Sequence, residues 1–118
     1  MSDTRVKDVR GFYMALFSKL FGFSPTINFP MSGAVIKKWL KDLNEWQINT
    51  LIIIHFNWRG MDGNDEYIYK RLRDNAFPLT WISNNINAYQ AYIRNVIGLD
   101  FDNEEVLKKY VSDYLKTI

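Results

Sequence analysis

Hydrophobic positions along this chain recur mostly at helical intervals. From Thr4 to Phe21, Val9, Tyr13, Leu16, Phe17 and Leu20 fall on one stripe, and Gly22 is a natural stop. Phe23 to Pro30 holds two prolines and predicts an extended connector, pinned to the core by alternating Phe23, Ile27 and Phe29. Ser32 is a candidate cap for a helix running to about Leu43, with Val35, Ile36, Trp39, Leu40 and Leu43 inward. Asn44 with Gln47 then reads as a capping box, flanked by Leu43 and Ile48 as a hydrophobic staple. The following Leu51-Ile-Ile-Ile54 suits a buried strand as well as a helix; the capping signals before it favour helix.

Arg59 to Asn64 is a turn cluster, followed by a predicted short helix from Asp65 to Asn75. Thr80 is a candidate cap for a longer helix, in which Ile82, Ile86, Tyr89, Ile93 and Val96 alternate at spacings of four and three until Gly98. The last helix is predicted to start at Asp102 as N-cap, with Glu105 at the third position and Phe101 and Val106 as staple. Its inner face carries Leu107, Tyr110, Val111, Tyr114 and Leu115. Tyr110 and Tyr114 could complete the core or form a dimer face, and a small domain's need for buried area favours the core. The expected architecture is all-α, a single compact domain of five to six helices spanning residues 1–118 and resembling a bundle. The tight junction at Leu43 and Asn44 also has the look of a helix-turn-helix elbow, though most such elbows are plain helical hairpins.

Composition narrows the chemistry. With 118 residues, 0 Cys and 1 His, the chain offers no disulfide, thiolate site or His-rich metal centre. His55 lies in an apolar stretch and reads as a structural residue, hydrogen-bonded at the edge of the core. Asp62, Asn64 and Glu66 recur as in a calcium loop, but Tyr67 stands where such a loop needs Gly and Arg73 where it needs Glu. No Gly-rich phosphate cradle and no paired carboxylates are visible, so the expectation is a protein that is not an enzyme and needs no cofactor. The mixed charges of Met1 to Arg10, without an apolar signal core, predict a cytoplasmic protein with no membrane partner.

Net charge is +2 and front-loaded: residues 1–59 hold eight Lys and Arg against four Asp and Glu. Lys37, Lys38 and Lys41 crowd the outer face of the helix that carries Trp39. Further on, Trp58 and Arg59 precede Tyr67, Tyr69, Lys70, Arg71 and Arg73. Cations interleaved with aromatics can neutralise phosphates and stack on unpaired bases, and Tyr69 and Trp58, beside turns, are the favoured stacking residues. The same lysines are equally the ordinary solvated side of an amphipathic helix, with Trp39 and Trp46 in the core.

Phe12-Tyr-Met-Ala-Leu-Phe17, Pro25-Thr-Ile-Asn-Phe29, Gly33 to Leu40, Ile54 to Trp58, Pro78-Leu-Thr-Trp81 and Ile86-Asn-Ala-Tyr89 follow one another along the chain. In this order the segments resemble small phage-encoded replication accessory proteins of the helicase-loader or replication-initiator type. The resemblance implies an all-α module in the host cytoplasm that binds single-stranded or forked DNA or recruits a replication protein. Lys37, Lys38 and Lys41 would then be its first DNA contacts. The other expectation is a protein-interaction module, an inhibitor or adaptor of a host complex that ignores DNA.

Overall fold

The computed structural model describes residues 4–25 and 29–118, with backbone alone for 29–31. Its elements are α1 (Thr4–Phe21), α2 (Phe29–Trp39), α3 (Glu45–Phe56), α4 (Glu66–Asp74), α5 (Leu79–Asn84), α6 (Ile86–Tyr92), a π-helical turn (Ile93–Ile97) and α7 (Glu104–Thr117). Among the described residues there is no strand. The protein is all-α, and no described helix is long and apolar enough to cross a membrane.

α3 is the centre. Asn44 starts it with a reciprocal cap: Gln47 N–H donates to Asn44 Oδ1 at 2.9 Å, and Asn44 N–H donates to Gln47 Oε1 at 2.9 Å. Every residue from Ile48 to Phe56 is buried, which decides the Leu51–Ile54 run as helix, walled by α1, α5, α6 and α7. Its polar members need internal partners. Thr50 Oγ1 donates to the Trp46 carbonyl at 2.8 Å, and His55 Nδ1 lies 2.8 Å from the Tyr89 hydroxyl. His55 sits inside the core at 0% exposure, not at its edge.

α1 matches its predicted span and buries Val9, Tyr13, Leu16 and Phe17. Tyr13, Phe17, Phe21, Phe56 and Phe77 form one aromatic cluster, with Phe56 and Phe77 centroids 5.0 Å apart. α2 crosses α1 at Gly33, where a Cβ would lie 2.8 Å from Arg10 Nη2.

Several expected boundaries are corrected. Ser32 is not a cap: α2 begins at Phe29, with Pro30 in the first turn where a missing N–H breaks no bond, and the Ser32 hydroxyl accepts from Arg10 Nε at 3.2 Å. Ile27 lies outside the described residues, and Phe23 is 64% exposed, touching the core only edge-on to Phe17 at 5.4 Å. α2 stops at Trp39, and Leu43 N–H turns back to the Trp39 carbonyl at 2.8 Å. The expected helix from Thr80 to Gly98 is three pieces. Asn85 breaks it because its side-chain amide takes the Trp81 carbonyl at 2.9 Å. Thr80 is inside α5, whose N-cap is Pro78. At Ile93 the winding widens, with Gly98 and Leu99 N–H both reaching the Ile93 carbonyl at 3.0 Å; Gly98, φ 81°, ends it. α7 is capped by Asn103 in place of Asp102, because the Asp102 carboxylate is held by Arg94 at 3.0 Å.

Candidate nucleic-acid interface

α4 forms because Asp65 Oδ1 accepts from Ile68 N–H at 3.1 Å, and because Leu72 gives the helix one buried anchor. Everything else on it is available to solvent or to its neighbours. It ends in a Schellman turn: Phe77 N–H reaches the Leu72 carbonyl at 2.7 Å and Ala76 N–H reaches that of Arg73 at 3.1 Å. The left-handed position there is Ala76, φ 57°, with Phe77 at φ 49°. The Tyr13 hydroxyl secures this strained pair by donating to the carbonyls of Ala76 at 2.8 Å and Phe77 at 3.1 Å. Burial pushes the Tyr13 phenol up to about 12, so it stays a donor.

The elbow brings Trp81 of α5 against Arg71 of α4, and the turn before α4 sets Arg59 over Tyr69, giving two cation–aromatic groups. Arg71 stands between the rings of Tyr67, 5.9 Å away, and Trp81, 5.8 Å away. Tyr67 is 69% exposed, and Trp81 is half-buried with its Nε1 turned inside. In the second group the Arg59 guanidinium lies 3.9 Å over the Tyr69 ring, and Arg73 reaches the same ring at 6.0 Å. Arg59 also pairs with Glu66 at 2.8 Å, and Arg73 is 4.0 Å from Asp74. Lys70 and Arg71 have no carboxylate within 4.0 Å among the described residues, and neither have Lys37, Lys38 and Lys41. On α7, by contrast, Lys108 and Lys109 are paired with Glu104, Glu105 and Asp113. The cations without a carboxylate partner thus include Lys70 and Arg71 on α4 and the three lysines of α2 and its following turn, with Lys7, Lys19 and Lys116 likewise unpaired elsewhere among the described residues.

Of the residues expected to contact nucleic acid, Arg59, Tyr69 and Arg73 are brought together, with Lys70 and Arg71 on the same short helix. Trp58 is excluded as a stacking residue: it is 5% exposed, with its ring against Tyr89 at 4.5 Å. It follows the last turn of α3 directly and is drawn into the core, so it offers no exposed stacking platform. Trp39 is buried too and donates from Nε1 to Ser83 Oγ at 2.9 Å. Trp46 is only half-buried, with Lys108 Nζ 5.7 Å over its ring. Lys38 lines an open groove of about 310 Å³ with Asp42, Ser83 and Gln90. No contact joins Lys37, Lys38 or Lys41 to the α4 group. Tyr67, already part of the basic–aromatic run read from the sequence, joins this face one helical turn before Arg71, whereas Trp81 is not among the expected contacts. Trp81 depends on the Ala76–Phe77 elbow, for which the sequence carries no glycine signal. Asp62 and Asp65 serve the turn before α4: Asp62 Oδ1 accepts from Asn64 N–H at 2.9 Å and Asp65 caps the helix. No family model, curated protein or solved structure matches the chain.

Proposed function

We propose that this protein is a non-enzymatic accessory factor of phage replication type, acting in the cytoplasm, that binds single-stranded or forked DNA through the α4 face and docks a replication protein with another. The observation that carries this reading is Arg71, uncompensated by any carboxylate and set between the exposed ring of Tyr67 and the half-buried ring of Trp81. A flat aromatic beside a free guanidinium offers a strand both things it presents, a base to stack and a phosphate to neutralise, each stacked base being worth about 1–3 kcal/mol. Lys70 and Arg73 extend the charge along the same short helix, and the lysines of α2 supply a second patch. A duplex offers no exposed base faces, so single strands and forks are the preferred ligands. Fluorescence anisotropy of labelled single-stranded, duplex and forked DNA across a salt series tests this. Binding that weakens steeply with salt and favours the open strands is the expected result; flat traces at low salt would remove DNA.

A second reading has its own observation. Between α1 and the end of α7 lies an apolar groove of about 230 Å³, lined by Phe12, Ala15, Leu115 and Ile118, with Leu115 42% exposed. A module that docks a host protein and ignores DNA would use such a face. A stoichiometric partner, recovered from host lysate after nuclease treatment and lost with Leu115→Glu, would support it.

A further inference from the structure

Beside the α4 face a smaller cleft of about 140 Å³ opens between α3, the π-helical turn and α7. Ile53, Trp58 and Ile97 wall it. The widened winding at Ile93 shapes this gap: it carries Ile97 to the cleft and leaves Val96 exposed. Trp58 is fixed there, edge-on to Tyr92 at 5.4 Å.

The rim is phenolic. Asn57 Nδ2 donates to the Ile53 carbonyl at 2.9 Å and to the Tyr114 hydroxyl at 3.1 Å, which leaves the Tyr114 proton free to point elsewhere. Among the described residues the hydroxyls of Tyr92 and Tyr110 have no hydrogen-bond partner. Burial, and then the neighbouring Tyr114 and Tyr92 phenols, raise the Tyr110 pKa, so it remains a donor at neutral pH. At the mouth stands Arg59. Its Nε holds Glu66 and its Nη1 the Asn57 carbonyl, while Nη2 is unengaged.

Size, walls and rim select one kind of ligand. An apolar cavity of about 150 Å³ takes a single benzene-sized ring. Phenolic donors call for carbonyl oxygens on the ring edge, and the guanidinium at the mouth calls for an anion beside it. A fused purine exceeds the space. We propose that this cleft captures one pyrimidine ring, with Arg59 on the adjoining phosphate; the ring comes from an unpaired base of the strand held by α4. The strand assignment rests on the DNA-binding reading above. Arg59 links the two sites, because its guanidinium also covers Tyr69 at 3.9 Å.

Competition between oligothymidylate and oligodeoxyadenylate of equal length tests the proposal. The parent protein should prefer thymidylate by about tenfold, the equivalent of one specific base contact of roughly 1.4 kcal/mol. Because deoxyadenylate also stacks on itself, the decisive arm is the double variant Tyr92→Phe with Tyr110→Phe. It keeps both rings, and so the packing, and should bring the ratio close to that of the chain-stacking effect alone. Adenylate affinity and salt slope should be unchanged. A parent ratio near one, or a ratio unaltered by the double variant, overturns base capture. If neither oligomer binds at low salt, the DNA-binding reading fails, and thymidine 5′-monophosphate is titrated while NMR follows the Asn57 side-chain amide and the Trp58 indole. Shifts of those two signals that vanish in the double variant would keep the cleft as a pyrimidine site; unmoved signals overturn it.

Discussion

His55 Nδ1 and the Tyr89 hydroxyl meet at 2.8 Å in a part of the core where both residues are fully buried. The imidazole must be neutral there. Burial lowers its pKa from 6.5 to about 4, against a smaller opposing pull from the Phe77 and Pro78 backbone. The unfolded chain therefore binds a proton that the folded one refuses. The stabilising contribution is complete above pH 6.5 and is lost as pH falls from there to about 4, on the order of 3 kcal/mol in all. Urea midpoints measured from pH 7 to pH 4 should decline across that window. In His55→Gln the decline should disappear while the baseline stability drops. A parent curve flat down to pH 4.5 would contradict this. Asp102 and Asp113, lowered by Arg94 and Lys109, add their loss only below the ordinary carboxylate range.

Tyr13 and Ala76 act on the same elbow in opposite ways. Removing the hydroxyl with Tyr13→Phe frees two strained carbonyls and should cost about 1–2 kcal/mol. Ala76→Gly puts the residue that tolerates a left-handed φ into the Schellman turn and should stabilise by about 0.5–1 kcal/mol. Thermal denaturation of the two variants should shift in opposite directions. If Ala76→Gly lowers the midpoint, the turn is not strained.

The start of α7 separates two adjacent residues. Asn103→Ala should cost about 1 kcal/mol, because Glu105 and Val106 N–H lose their acceptor. Asp102→Ala should leave stability nearly unchanged, since its partner Arg94 is exposed and solvated. Equal losses from both would return the cap to Asp102.

For DNA, reversing Lys70 and Arg71 to Glu should weaken single-strand binding at least tenfold and flatten its salt dependence. Reversing Lys37 and Lys41 should do less, because no aromatic face accompanies them. Circular dichroism should show both variants folded, as all four side chains are exposed. The reverse ranking would move the contact surface to α2.

What the sequence made legible was governed by local rules. α1, the Asn44 box and the Gly22 and Gly98 stops depend on residues within a few positions of one another, and all are present. What it concealed depends on partners far along the chain. Ser32 looks like a cap until Arg10 is brought against it, and Asp102 looks like a cap until Arg94 takes its carboxylate. The breaks at Asn85 and Ile93 interrupt a pattern whose sequence periodicity stays helical throughout: Ile82, Tyr89 and Ile93 of the expected stripe are buried, but the widened turn leaves Val96 exposed. At the candidate site, the basic and aromatic residues of α4 could be read directly. Burial of Trp58 could not, since a tryptophan beside a turn is as easily a surface platform as a lid on the core.

The complete enclosure of α3 carries a liability for handling this protein. Leu51 to Ile54 is free of charge and three-quarters β-branched, and in the fold none of it exceeds 4% exposure. Once heat or acid detaches the surrounding helices, the segment is released with no proline or charged gatekeeper within it and a strong tendency to pair as strands with copies of itself. Thermal unfolding should therefore be irreversible at high protein concentration, with aggregates that bind thioflavin, and refolding yields should fall as concentration rises.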